Sequence, residues 1–353
     1  METTDQAVRE RVERFSDAIA ATEGPVLILG HNYPDPDCMA AAIGMEAFLR
    51  TRCERSATLS FGGGLGRAEN RAMAGILDIA FEEAETIDPC GFAGQVLVDT
   101  QPGSGNNHAP DDLPVLGVFD HHEPPPTPYE AHFADVRTDC GSSSTILEEY
   151  LRGAGVSVDD RLATALLIGI RTDTEDLERD ESDADVAAYL RLYPHVNRQR
   201  MQQIMRPALS EAYFGVLRQA LNVARRWGNA VIADLGLVPA PDILSEVSEL
   251  FTRLKEVELS LACGVYGGRV HFSLRGRTVR KTVRDLLSDI VGERGSAGGH
   301  GRAAGGVLYT TDDNPAEVAA AFCQAFVVAI DAVESGPRPV CLSDTERAAT
   351  ERT

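Results

Sequence analysis

The chain has 353 residues, of which 43% are hydrophobic and 25% charged, and its formal net charge is -21. That length exceeds one typical core and suits two domains. Such an acidic surface excludes gripping long nucleic acid over its whole extent, so an anionic substrate has to be held by bound cations or a local basic patch. Among 33 basic residues only Lys255 and Lys281 are lysines, a bias that high-salt adaptation and a GC-rich genome explain equally. Seven cysteines are scattered without a C-x-x-C pair, which argues against a zinc knot or a disulfide framework. The charged start METTDQAVRERVERF reads as a helix rather than a leader, and the longest nearly apolar stretch, Val318–Ile330, is 13 residues. A soluble, cytoplasmic protein with no membrane partner is expected.

In chain order, residues 5–22 read as a helix, VLILG (26–30) as a buried strand and the Ala-rich 38–51 as a helix. QVLVD (95–99) and LGVFD (116–120) are further strands, each ending in Asp. A helix capped by Ser142 covers 142–152, and a buried helix covers 160–170 before a polar loop. Alternating β and α units predict an α/β fold with a mostly parallel sheet flanked by helices. Ligands of such sheets sit beyond the carboxyl ends of the strands. Residues 184–226 read as helical. From about 228 the pattern restarts with AVIADLGL, a helix at 242–254, the alternating runs VELSLACGVYG and RVHFSLRGR, a helix at 279–291, a Gly-rich loop at 295–306, a short strand and a helix at 315–333. The expected division is a first domain over 1–190, a helical connector over 191–227, a smaller α/β domain over 228–335 and a loose tail over 336–353.

Four polar segments close apolar runs: His31-Asn32-Tyr33-Pro34-Asp35-Pro36-Asp37, Asp99, Asp120-His121-His122, and Asp173 in GIRTD. Any single Asp there is as easily a helix cap or a turn residue. All four at the mouth of one sheet would accumulate negative charge unless cations neutralised it. An oxygen-rich donor set with few imidazoles favours manganese or magnesium over zinc.

HNYPDPD, VLVDT, FDHH and GIRTDT resemble the four motifs of the DHH phosphoesterase superfamily, and GSAGGHGRAAGG (295–306) resembles the signature loop of its associated C-terminal domain. The resemblance implies a metal-binding catalytic domain and a smaller substrate-binding domain across a cleft. It implies two divalent ions, manganese or magnesium. His31, Asp35 and Asp99 match the ligands of one; Asp37, Asp99, His121 and Asp173 match those of the other, with Asp99 bridging. His122 matches the histidine facing the scissile phosphate, and Asp120 a residue orienting a ligand. Such ion pairs bind a phosphate oxygen, activate a water and steady the leaving oxygen.

In the second domain, the glycines around His300, including Gly298 and Gly299, bring backbone N–H groups close to an anion, and Arg302 lies in the same loop. Residues 267–306 hold eight basic residues against three acidic ones, with Arg275 the phosphate ligand the resemblance favours. His108, His132, His195 and His271 are isolated and read as surface or strand positions. Size and domain order resemble the nanoRNase/pAp-phosphatase branch, implying hydrolysis of very short oligonucleotides or 3′-phosphoadenosine 5′-phosphate. Cyclic-dinucleotide phosphodiesterase, exopolyphosphatase and non-catalytic nucleotide sensor are the alternatives. The expected partner is a short nucleotide and no long nucleic acid. A homodimer is compatible with the sequence, which leaves oligomeric state open.

Overall fold

The structure, a computed structural model, describes residues 2–277, 283–300, 302–310 and 314–340. It divides into two compact units, 1–208 and 209–353. Arg280, Lys281 and the expected tail from 341 onward lie outside the described residues. The stretch 191–227 is shared between the units, with its division at Ala208 and Leu209. Among the described residues, no helix is long and apolar enough to cross a membrane.

Unit 1 runs α1 (Glu2–Ala20), β1 (Val26–Leu29), α2 (Pro36–Arg52), β2 (Ala57–Phe61), α3 (Ala68–Ile76), β3 (Glu82–Glu83), β4 (Gly94–Val98), β5 (Val115–Asp120), β6 (Ala134–Val136), α4 (Ser143–Gly153), α5 (Asp160–Asp173), α6 (Asp183–Leu192) and α7 (Arg198–Met205). Its six strands are all parallel, in the order β3-β2-β1-β4-β5-β6. β1 and β4 are buried throughout, as continuous apolar runs in a parallel sheet require. Strand order reverses between β1 and β4, so a crevice opens beyond their carboxyl ends.

Packing fixes where those strand ends fall. Phe119, next to last in β5, meets Tyr150 of α4 edge-on with ring centroids 4.9 Å apart and Phe15 of α1 at 4.7 Å. This cluster anchors the strand immediately before Asp120. α2 starts at Pro36, whose fixed φ suits a first helical turn. It is buried along most of its length and packs against α4 and α5. The helix expected over 160–170 continues to Asp173, because Arg171, Thr172 and Asp173 extend the last turn despite their polarity. β2, α3 and β6 are short and carry no strong period, so the sequence alone does not mark them.

Unit 2 runs α8 (Glu211–Val223), β7 (Arg225–Trp227), β8 (Ala230–Leu237), α9 (Ile243–Thr252), β9 (Leu259–Tyr266), β10 (Arg269–Gly276), α10 (Val283–Val291), β11 (Gly295–His300), β12 (Ala303–Leu308), α11 (Pro315–Ala329) and β13 (Arg338–Pro339). Its mixed sheet has the order β11-β12-β10-β9-β8-β7-β13. β8 and β9 are parallel and the other pairs antiparallel. Both faces are covered. Leu261, Cys263 and Phe272 pack with Leu287, Phe322 and Phe326, whereas Val231, Ala233 and Ala262 pack with Leu244, Val247 and Phe251.

The expected Gly-rich loop is instead a β-hairpin, with Gly295 paired to Leu308 and His300 to Ala303. Glycine conceals the strands from the sequence, because residues without side chains give no alternation. It is also what the close approach requires: a Cβ on Gly306 would lie 2.0 Å from Ser296 O.

Candidate metal centre

Seven candidate side chains of unit 1 converge around an eighth, Asp99. β1 ends at Leu29, and a Cβ on the next residue, Gly30, would lie 2.3 Å from Cys38 Sγ and 2.7 Å from Phe61 Cε1. Glycine there lets the chain leave the sheet and present His31. The His31 Nδ1 lies 2.9 Å from Asn32 O. A carbonyl only accepts, so Nδ1 carries a proton and Nε2 is the ring nitrogen left to face the carboxylates. That Nε2 is 3.4 Å from Asp99 Oδ2 and 3.7 Å from Asp35 Oδ2. Asp35 caps α2: its Oδ1 accepts from the Asp37 and Cys38 amides at 3.0 Å each, leaving Oδ2 for His31.

Asp37, in the first turn of α2, is fully buried. Its two oxygens accept from the Ser143 and Ser144 amides at 2.7 and 2.9 Å, so the N-terminus of α4 grips the carboxylate. Asp99 follows β4 with φ 57°, a left-handed conformation that Asp tolerates better than most residues. Its Oδ1 accepts from Ser143 Oγ at 3.0 Å and lies 3.5 Å from His121 Nε2. Asp99 therefore turns one oxygen toward His31 and the other toward His121.

Asp120 closes β5 and shares His122 Nδ1 with Asp99, whose Oδ1 lies 3.7 Å from it. The Asp120 Oδ1 accepts from the His121 amide at 2.8 Å and meets His122 Nδ1 at 2.8 Å. Its Oδ2 accepts from Gln101 Nε2 at 2.8 Å. Gln101, itself fully buried, also donates to His122 O at 3.1 Å and accepts from Tyr129 Oη. Asp173 ends α5 and places Oδ2 3.1 Å from His121 Nε2. Donor atoms of Asp37, His121 and Asp173 all lie within 4.8 Å of one another, as do those of Asp99, His121 and His122.

Electrostatics show what the arrangement lacks. Burial and the like charges of Asp99 and Asp173 push the Asp37 carboxyl well above the carboxylate range. Burial and Asp35 push Asp173 up to about 6. Burial alone would lower His31 and His121, but facing acidic groups outweigh it and raise both. His122 is raised despite burial, chiefly by Asp120. Burial likewise opposes the lowering of Asp120, but its hydrogen bond to His122 prevails. The decisive atom is His121 Nε2, which is buried without a hydrogen-bond partner although carboxylate oxygens crowd it. A buried imidazole nitrogen facing carboxylates off hydrogen-bond geometry fits a shared divalent cation, and the O and N donors suit a hard-to-borderline ion. Cys38 Sγ also lies within 4.8 Å of donor atoms of His31 and Asp99, but burial pushes its thiol up to about 12.

Sequence reasoning missed several supports. Ser143 and Ser144 lie over a hundred positions from Asp37; the run CGSSST before an apolar helix was the available signal. Gly169 belongs to GIRTD because a Cβ there would lie 2.2 Å from Ser144 Oγ and 2.9 Å from Asp37 Oδ1. His108, read as isolated, meets Asn32 Oδ1 at 2.7 Å. The candidates of unit 2 form a set of their own. Arg275 and His300 both pair with Ala303, from opposite sides, so they occupy one register row. Gly298 and Gly299 pair with Gly305 and Ala304, and Arg302 is exposed at the hairpin turn.

Residues 25–170 match the DHH family, N-terminal domain. The uncharacterized protein MJ1633 of Methanocaldococcus jannaschii is 30% identical over 286 residues, 80% of this chain and 57% of that protein. The chain thus spans little more than half of that relative's length. An exopolyphosphatase-related protein from Bacteroides fragilis, 15% identical, superposes with a TM-score of 0.71 over 90% of this chain and 95% of its own. At that identity the likeness concerns the fold alone.

Proposed function

We propose that the protein is a divalent-metal-dependent phosphoesterase acting on short nucleotide substrates, either very short oligonucleotides or 3′-phosphoadenosine 5′-phosphate. The observation that carries the reading is Asp99, whose two oxygens face His31 and the partnerless His121 Nε2. His31, Asp35 and Asp99 would hold one ion, and Asp37, Asp99, His121 and Asp173 a second, with manganese the first choice and magnesium the next. When bound, such ions neutralise a phosphate and acidify water at neutral pH. The chain's own groups do the rest. The α4 N-terminus fixes Asp37, Ser143 fixes Asp99, and Asp120 holds His122 by Nδ1, which assigns Nε2 to a phosphate oxygen. A phosphate oxygen accepts, so His122 would donate to it from Nε2.

Short substrates follow from charge. The net charge is -21, and the local basic excess lies in 267–306. A long strand leaving that patch would meet repulsion, and its affinity would not grow with length. Arg275, His300, Arg302 and the backbone of Gly298 and Gly299 are the proposed substrate-binding groups there. The test is a side-by-side assay with manganese of 3′-phosphoadenosine 5′-phosphate, a dinucleotide, a cyclic dinucleotide and polyphosphate. Preference for either of the first two is expected. Turnover of polyphosphate or the cyclic compound alone would overturn the substrate, and turnover of none would overturn the enzyme.

A further inference from the structure

Tyr33 stands between two of the candidate ligands, two positions from His31 and two from Asp35. Its Cα is therefore at most about 7 Å from either of theirs. The aromatic cluster of unit 1 lies inside the core, but Tyr33 is 45% exposed. Its φ is 57°, a left-handed conformation that is uncommon for a bulky residue and persists only where surroundings enforce it.

Those surroundings are specific. The Tyr33 amide donates to Gly62 O at 2.7 Å, and the Asn32 amide to Asn106 O at 2.6 Å. His108 Nδ1 donates to Asn32 Oδ1 at 2.7 Å. Buried Asn70 donates to Pro34 O at 2.9 Å. Loops after β2 and β4, together with α3, thus pin the three residues 32–34. The ring rests on backbone: a Cβ on Gly63 would lie 2.8 Å from Cε1 and Cζ of Tyr33 and 2.9 Å from Cε2. Gly63 itself has φ 76°. The fold thus pins the Tyr33 backbone between two candidate ligands and sets its ring against Gly63, with the residue 45% exposed.

We infer that Tyr33 is the stacking platform for the nucleobase of the substrate, and so selects nucleotides over base-free phosphate esters. The assignment rests on the phosphoesterase reading for the position of the phosphate and adds the base that reading leaves unplaced. Stacking tolerates any base, because every base has a π-face. A ring carried on a pinned backbone loses less freedom when a base settles on it.

The experiment uses the full-length, manganese-loaded protein and calorimetric titration with adenosine 5′-monophosphate and ribose 5-phosphate. The ratio of the two dissociation constants isolates the base. Wild type should bind the nucleotide about tenfold tighter or more. Tyr33→Ala and Tyr33→Leu should bring the ratio close to one, and Tyr33→Phe should keep it. Leu retains apolar bulk without a π-face, so it separates stacking from simple packing. A wild-type ratio near one, or an undiminished ratio in Tyr33→Ala, overturns the assignment. If the ratio depends on Tyr33 but no nucleotide is hydrolysed, the base site stands and the phosphoesterase reading falls.

Discussion

The two units bury different things: at its strand ends unit 1 buries Asp37, Asp99 and Asp120 to 1% exposure or less, whereas the buried polar side chains among the described residues of unit 2 are Ser248, Ser260 and Ser273. Ser248 and Ser273 satisfy each other by a hydrogen bond. A buried hydroxyl is inexpensive when bonded, but a buried carboxylate is not unless its charge is answered. Unit 2 is therefore held by the packing of its two apolar layers. Unit 1 carries crowded charges that protons offset at low pH and a divalent cation would offset above it, and the place where the fold conflicts with its residues marks the candidate chemistry.

The comparison breaks most visibly at Asp99. Asp99→Asn should reduce turnover by more than the roughly 10–100-fold that outer partners of metal ligands account for. The metal-free variant should melt no lower than wild type, since one of the crowded charges is gone. Full activity, or a collapsed fold, would contradict the assignment. Leu274→Ala in β10 is the opposite case. Leu274 is fully buried, so truncation should destabilise unit 2 by about 2–5 kcal/mol while leaving manganese affinity unchanged. Trp227, the only tryptophan, packs against that core, so its fluorescence follows the unfolding of unit 2. A changed manganese affinity would mean the units are not independent in this respect.

Ser143→Ala removes the hydroxyl that Asp99 accepts from and should weaken metal affinity about 10–100-fold, measured by calorimetry, with the melting curve little altered. The smallest expected effect is on pH dependence. Asp173, raised to about 6, stabilises the metal-free fold at low pH and loses that contribution as pH climbs through about 6. His31 and His121, raised above their ordinary value, likewise contribute at low pH and cease to do so as pH passes their raised values. All three signs agree: metal-free unit 1 weakens as pH rises, and metal has fewer protons to displace. The rise in melting temperature on adding manganese should thus be larger at pH 8 than at pH 5. The reverse order would refute the electrostatic account.

Much of this was legible in the sequence, for a physical reason. β1, β4 and β5 are short apolar runs that each stop at a polar residue, and a parallel sheet places such stops on one edge. The Ser142 cap of α4 was readable too. What stayed hidden depends on contacts between distant segments. Nothing local to Ser143 says that its amide meets Asp37, and nothing local to Gly169 says that Ser144 needs its missing Cβ. His108 looked isolated because its partner, Asn32, is 76 positions away. The hairpin of β11 and β12 was concealed by its glycines.

Asp35 does two jobs with its two oxygens, capping α2 through Oδ1 and facing His31 through Oδ2. Asp37 in turn receives the Ser143 and Ser144 amides. Four backbone N–H groups, of residues 37, 38, 143 and 144, therefore answer directly to the two carboxylates. Their isotope exchange and amide chemical shifts form a built-in gauge of site occupancy. Spectroscopy can follow that gauge in the resting protein, without a substrate, at the first turns of two helices that are buried along most of their length.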